Sequence, residues 1–182
     1  VDNNASGKKE VYIYITLENS VDETLMRMYQ SMFKVTKAVF TVNIRELDSS
    51  QIKDSIIQRI GHSNRSVIMK YFPKFSISPA DISMVIDDAI SQYGSDGIRA
   101  VIIDYLDLLK LDSSLGKNYD LYRLELSHIT SNLKDIAVSY NVPVITASQL
   151  TRSVYDKNPD SKELNLAMMS EVLYALLPLV CS

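Results

Sequence analysis

The sequence predicts an α/β domain with a mostly parallel sheet flanked by helices. Short, β-branched apolar runs alternate along the chain with segments of helical period. Serine, glycine and proline punctuate the boundaries between the two kinds of segment. Three of the strand-like runs also end in a carboxylate or an amide, which is how a parallel sheet delivers chemistry to the carboxyl ends of its strands.

In chain order, Val11-Tyr12-Ile13-Tyr14-Ile15-Thr16-Leu17 is the first such run, and Glu18 follows it directly. The segment 20–35 opens on Ser20 and puts Leu25, Met28, Met32 and Val35 on one stripe, which predicts a helix. Ile52, Ile56, Ile57 and Ile60 repeat that pattern over 48–60, and the segment stops at Gly61, where a terminating glycine belongs. A second strand is expected over 65–71. Ser78-Pro79-Ala80-Asp81 then combines a capping serine with proline at the first helical position, and Ile82, Val85, Ile86, Ala89 and Ile90 carry the helix to Gly94. Ala100-Val101-Ile102-Ile103 is the third strand and ends in Asp104. Over 119–140, Leu121, Leu124, Leu126, Ile129, Leu133, Ile136 and Ala137 mark a long helix that packs back on the sheet. Pro143-Val144-Ile145-Thr146-Ala147 is the fourth strand, and Ser148-Gln149 follow it.

Composition narrows the class. With 182 residues and 46% hydrophobic content the chain is one ordinary domain, or most of one, able to bury a core. A net charge of -3 argues against holding nucleic acid by bulk positive charge, so any such contact falls to local loops. The single cysteine, Cys181, permits neither an internal disulfide nor a thiolate metal cluster, which fits a reducing cytoplasm. No apolar run reaches the ~20 residues of a membrane span, and the polar start has no signal-peptide core. His62 and His128 lack ligand-spaced partners, so no protein-built metal site is expected from them.

Glu18, Asp104 and Gln149 are the candidate chemistry. Two strands ending in acids bring carboxylates from distant positions to one crevice, and a third strand adds an amide there. That set suits hydrolysis of a Mg²⁺-bound nucleotide, with one acid near the metal, one acid to orient and deprotonate water, and an amide to sense the terminal phosphate. An acid just after a strand also serves to cap the next helix, and spacing leaves both readings open. Two polar loops leave the same edge. The first carries Lys110 and Lys117, the second Arg152, Lys157 and Lys162, in the mixture of cations and hydrogen-bonding residues that phosphate-contacting loops use. Taken singly, each of these cations reads more readily as an ordinary solvated surface residue.

A glycine-rich phosphate loop of the form G-x-x-x-x-G-K-[ST] is not found. Gly7-Lys8-Lys9 is the nearest approach, but Asp2 stands where the first glycine belongs and Lys9 where the hydroxyl belongs. The expectation is that the strand and loop carrying this motif lie upstream of the chain.

The residues resemble a family. Tyr14-Ile15-Thr16-Leu17-Glu18-Asn19, with Leu25 and Arg27 beyond it, is similar to the "SLEM…R" segment of DnaB-type replicative helicases. Val101-Ile102-Ile103-Asp104-Tyr105-Leu106 resembles their Walker B segment, and Ala147-Ser148-Gln149-Leu150-Thr151-Arg152 their "LSQLNR" segment, in matching order. Val67-Ile68-Met69-Lys70-Tyr71-Phe72-Pro73, ahead of Ser78-Pro79, is closest to the T-even phage branch. The likeness runs from about Lys9 to Glu171 by motif order.

This resemblance implies a RecA-like P-loop NTPase core lacking the Walker A strand and loop, so that 1–182 is a partial helicase C-terminal domain. It implies ATP and Mg²⁺ as cofactors, Glu18 as the base that activates water, Asp104 as the residue that holds Mg²⁺ through coordinated water, and Gln149 as the γ-phosphate sensor. Lys110, Lys117, Arg152, Lys157 and Lys162 would contact single-stranded DNA in the channel of a ring. Neighbouring subunits, primase and a helicase loader are the implied partners, and the host cytoplasm the implied location. An arginine finger would come from a neighbour, on a strand after the Gln149 segment that this chain does not show. The chain reads Val172 to Val180 where the family continues with a small residue and an acid. By itself the chain is then expected to be inactive. Two alternatives stay open, another RecA-type ATPase such as a recombinase, and a non-catalytic RecA-like assembly module.

Overall fold

The computed structural model describes residues 9–34, 36, 54, 58, 64–110, 119–148 and 175–176, with 119–123 and 175–176 described as backbone only. Strand β1 (Glu10–Thr16) leads into helix α1 (Val21–Phe33), followed by β2 (Arg65–Tyr71), α2 (Pro79–Tyr93), β3 (Ile98–Asp104), α3 (Tyr119–Tyr140), β4 (Val144–Thr146) and the short β5 (Ala175–Leu176). They form a five-stranded sheet in the order β2-β1-β3-β4-β5. The first four strands are parallel, and only β5 runs antiparallel, pairing Val144 with Leu176. The apolar stretch 172–180 therefore gives the sheet a strand at Ala175–Leu176; its other residues lie outside the described ones, as does the helix expected over 48–60 apart from the helical Asp54 and Gln58.

Alternation along β1 divides the sheet into two faces. Val11, Ile13 and Ile15 are fully buried, and across β3 and β4 they meet Val101, Ile103, Val144 and Thr146 on the same side. Helices α2 and α3 close this side with Ile82, Val85, Ile86 and Ala89 from one and Leu126, Ile129, Leu133, Ile136 and Ala137 from the other. Leu124, expected on that stripe, is 64% exposed, because it lies two residues, about 200° of helical turn, from Leu126. The opposite face carries Tyr12, Tyr14, Thr16, Ala100, Ile102 and Asp104 in register. Val67, Tyr71 and Ile145 remain exposed on it.

Both helix starts expected from serine are present. Ser20 caps α1, with its Oγ accepting from Glu23 N at 3.2 Å and its own N–H donating to Glu23 Oε2 at 3.2 Å. At α2, Pro79 follows the Ser78 cap, and Asp81 Oδ2 accepts from Ser78 N at 2.8 Å and from Ser78 Oγ at 2.6 Å. These donors hold the Asp81 carboxyl below the usual carboxylate range. Helix α1 covers the sheet loosely: only Thr24 is buried, while Leu25, Met28 and Met32 are partly exposed. Beyond α3, Asn141 takes the left-handed conformation at φ 51, which asparagine tolerates, and Pro143 then admits β4.

The amino-terminal edge of the sheet is tied by one carboxylate. Glu10 Oε2 accepts from Arg65 Nε of β2 at 2.9 Å, and Oε1 lies 3.2 Å from an Arg99 guanidinium nitrogen of β3. The Arg65 hydrogen bond, aided by the Arg99 charge, keeps the Glu10 carboxyl below its ordinary value against the opposing effect of burial. The unfolded chain therefore binds the proton more readily. The stabilisation is complete above the ordinary glutamate range of about 4.3 and is lost as pH falls through the lower folded value. Glu10→Gln should lower the unfolding midpoint at pH 7, and its difference from wild type should vanish on acidification below that value; a difference constant with pH in denaturation curves would contradict this. Ile13→Ala, in the centre of the buried face, should cost about 2–5 kcal/mol in the same measurement.

Candidate functional site

Parallel pairing of β1 with β3 sets Thr16 opposite Asp104, so both strands end at one height. Leu17 N then donates to Asp104 O at 2.9 Å, continuing the link one residue past β1. Thr16 is buried, and its Oγ1 donates to Asn19 O at 2.7 Å and accepts from Asn19 N at 3.2 Å. That closed turn places Glu18 at the lip, beside the end of β3. Glu18 and Asp104 thus stand at the ends of neighbouring strands on one edge of the sheet.

Among the described residues, neither acid caps a helix. Ser20 performs that role for α1, and the short 3₁₀ turn Leu106–Leu108 after Asp104 has Tyr105 at its cap with no side-chain bond. Glu18 Oε1 instead lies 3.2 Å from Lys74 Nζ, in a pair with both side chains nearly half exposed. Asp104 is half-buried, and its Oδ2 accepts the Tyr14 hydroxyl at 3.0 Å. Burial, the Asp104 charge and this bond push the Tyr14 phenol up to about 12, while the Arg27 charge opposes them. Tyr105 is raised too, chiefly by burial and then by the charge of Glu18, with smaller contributions from Asp107 and Asp104. The aromatic ring at 105 therefore feels both carboxylates. The Asp104–Tyr105 peptide is cis.

The amide strand reaches the same edge. Thr146 Oγ1 donates to Ile103 O at 3.0 Å, Leu106 N to Ala147 O at 3.1 Å, and Ser148 Oγ to Asp107 Oδ1 at 3.1 Å. Ser148 is thereby anchored beside the turn that follows Asp104. Gln149, its neighbour, lies outside the described residues, as do Lys117, Arg152, Lys157 and Lys162. Lys110 is exposed, and its backbone N–H donates to Ile77 O at 2.7 Å, which ties the start of its loop to the segment before α2.

Lys74 belongs to a connector built for this edge. Phe72 N donates to Thr16 O at 3.0 Å and Phe75 N to Leu108 O at 2.8 Å, so the connector bridges the ends of β1 and β3. Phe75 accepts a left-handed φ of 60 to make its bond. Tyr14 and Lys74 were not among the expected site residues. Period-two alternation puts Tyr14 on the face of Thr16, so part of that signal was in the sequence; nothing in the residue pattern points Lys74 at Glu18.

Among the described residues, no group of three or more His, Cys, Asp or Glu side chains is placed to hold a metal ion by protein ligands alone. Asp104 fits a different donor set. Mg²⁺ in nucleotide sites is commonly held by one or two carboxylates with waters and substrate phosphates, and Asp104 would supply one such carboxylate.

The sequence matches the DnaB-like helicase C-terminal domain family over residues 1–171. The chain belongs to that family. Replicative DNA helicase DnaB of Buchnera aphidicola subsp. Baizongia pistaciae is 28% identical to it, over 86% of this chain and 32% of the relative. The chain thus spans about a third of the length of the curated relatives it matches. A solved DnaB-like replicative helicase, described with its interactions with primase, superposes at a TM-score of 0.64 and 23% identity, covering 90% of this chain and 38% of that one. A second solved structure, an ATPase domain, gives a TM-score of 0.61 at 23% identity, over 85% of this chain and 52% of that one. The fold of this DnaB-family chain is accordingly the RecA-like α/β fold of those ATPase domains, with its parallel strands in the order described. No described helix is long and apolar enough to cross a membrane.

Proposed function

We propose that the chain serves in the motor domain of a replicative DNA helicase that couples ATP hydrolysis to travel along single-stranded DNA and to duplex unwinding. The observation that carries the reading is the meeting of Glu18 and Asp104 at one lip of the sheet, with neither spent on a helix cap. Family membership gives that juxtaposition its chemistry.

Glu18 is the base in this reading. Its carboxylate would take a proton from an attacking water, and its exposure on the Thr16–Asn19 turn supports this role. Asp104 is the carboxylate that holds Mg²⁺ through its water shell, and the ion when bound neutralises charge developing on the transferred phosphoryl group. Gln149 senses the terminal phosphate, and the Asp107–Ser148 bond positions the residue before it. Lys110, Lys117, Arg152, Lys157 and Lys162 supply backbone contacts to single-stranded DNA. Hydrolysis also needs a phosphate loop, which none of this chain's own glycines supplies.

The working assembly in this reading is a homo-oligomeric ring with nucleotide between subunits, acting with primase and a loader in the host cytoplasm. The similarity of DnaB relatives and the primase-associated solved helicase support it. Within the family, the segment from Val67 to Pro73 ahead of Ser78-Pro79 favours the T-even phage branch.

Glu18→Gln in the whole protein should leave nucleotide affinity largely intact and reduce turnover by about 10²–10⁴-fold. Unchanged turnover would remove Glu18 as the base. Lys157→Ala and Lys162→Ala should each weaken single-stranded DNA binding and flatten its salt dependence by about 0.7 in log–log slope per lost phosphate contact. Titrations at several salt concentrations check this, and slopes equal to wild type would take those lysines off the DNA path.

A further inference from the structure

We propose that Tyr14 is the positioning residue for the Asp104 carboxylate, holding it through Oδ2 so that Oδ1 is the oxygen that meets a metal-bound water. The inference rests on the reading of Asp104 as the Mg²⁺ residue, and it adds a requirement that this reading does not contain.

The geometry starts from register. Tyr14 pairs with Ile102 and Thr16 with Asp104, so Tyr14 and Asp104 lie diagonally on one face of the β1–β3 pair. Diagonal neighbours in a sheet are about 7–8 Å apart between Cα atoms, within reach of an aromatic side chain. The Tyr14 hydroxyl covers that gap and donates to Oδ2 at 3.0 Å. A phenol has one proton to donate, and this one is committed to the carboxylate. Among the described residues, Oδ1 receives no hydrogen bond. The two oxygens of Asp104 are therefore made different by a single neighbour.

In the reading on which this rests, Asp104 is the one carboxylate assigned to the cation, and that is why the asymmetry matters. Where several protein ligands surround an ion, each corrects the others; a lone carboxylate sets the waters of the coordination shell by its own rotation. Asp104 ends its strand and is only half-buried, so packing alone does not fix its second torsion. The Tyr14 ring, standing on a central strand with only two side-chain torsions, is a rigid post for the purpose. Partners that orient direct metal ligands commonly contribute about 10–100-fold to metal affinity, and Tyr14, acting one shell further out through a coordinated water, is expected at the lower end of that range.

The test compares Tyr14→Phe and Asp104→Asn in the whole protein. Mn²⁺ affinity in the presence of ADP is followed by electron paramagnetic resonance, with the Mg²⁺ dependence of ATP turnover and the thermal midpoint alongside. Tyr14→Phe should weaken Mn²⁺ affinity about 10-fold or more and raise the half-saturating Mg²⁺ concentration in parallel, with KM for ATP at saturating Mg²⁺ within about twofold of wild type. Adding Tyr14→Phe to Asp104→Asn should change Mn²⁺ affinity no further. Wild-type Mn²⁺ affinity in Tyr14→Phe, whether or not its thermal midpoint falls, would overturn the positioning role while Asp104→Asn still reports the metal residue. Undiminished Mn²⁺ binding in Asp104→Asn would instead overturn the underlying assignment, and the Tyr14 role with it.

Discussion

The parallel pairing of β1 with β3 is the constraint on which the rest of this domain depends. A one-residue slip would turn every side chain of β1 to the other face, moving Val11, Ile13 and Ile15 out of the core. Burial of those residues against Val101 and Ile103 therefore locks the register. The same lock fixes Thr16 opposite Asp104 and brings Tyr14 within hydrogen-bonding reach of it. Hydrophobic packing on one face thus sets polar geometry on the other, without any polar interaction having to specify the fold.

The two ends of the sheet use charge differently. At the amino-terminal edge Glu10 is shared by Arg65 and Arg99, and each neighbour strand supplies one cation, so the carboxylate is fully engaged. At the carboxyl-terminal edge the acids have fewer partners among the described residues. Glu18 has one exposed lysine, an arrangement that in water contributes about 0–1 kcal/mol and is readily given up. Asp104 has one phenol. Loop connections reinforce this division, since the connector carrying Lys74 is bonded to both Thr16 and Leu108 and spans the ends of the two central strands.

Much of the fold is legible in residue order because strand and helix periods are written locally. The stretch 65–71 is the strand Arg65–Tyr71, and Ser78-Pro79 and Ser20 start helices where serine and proline satisfy the first turn. Leu124 shows the limit of such reading: apolar residues within a helix do not all face one neighbour, and the face is chosen by what packs there. Helix α1 shows it again, with Thr24 rather than its methionines fully buried. For the site, strand ends marked Glu18 and Asp104 because period-two runs stop abruptly at charged residues. Their partners were not marked. Lys74 lies 56 residues from Glu18 in sequence, and Tyr14 is 90 residues from Asp104.

By itself the sequence determined the alternation of strands and helices, the caps, the buried face of the central strands and the acids that terminate them, because each depends on contacts or solvent preferences of residues close in the chain. Tertiary structure alone decided the strand order β2-β1-β3-β4-β5, the antiparallel addition of Ala175–Leu176, and the choice of Lys74 and Tyr14 as partners of the two carboxylates. Those features depend on which strands lie side by side, and strand pairing is set by the summed burial of the whole core, a quantity no local stretch of sequence contains.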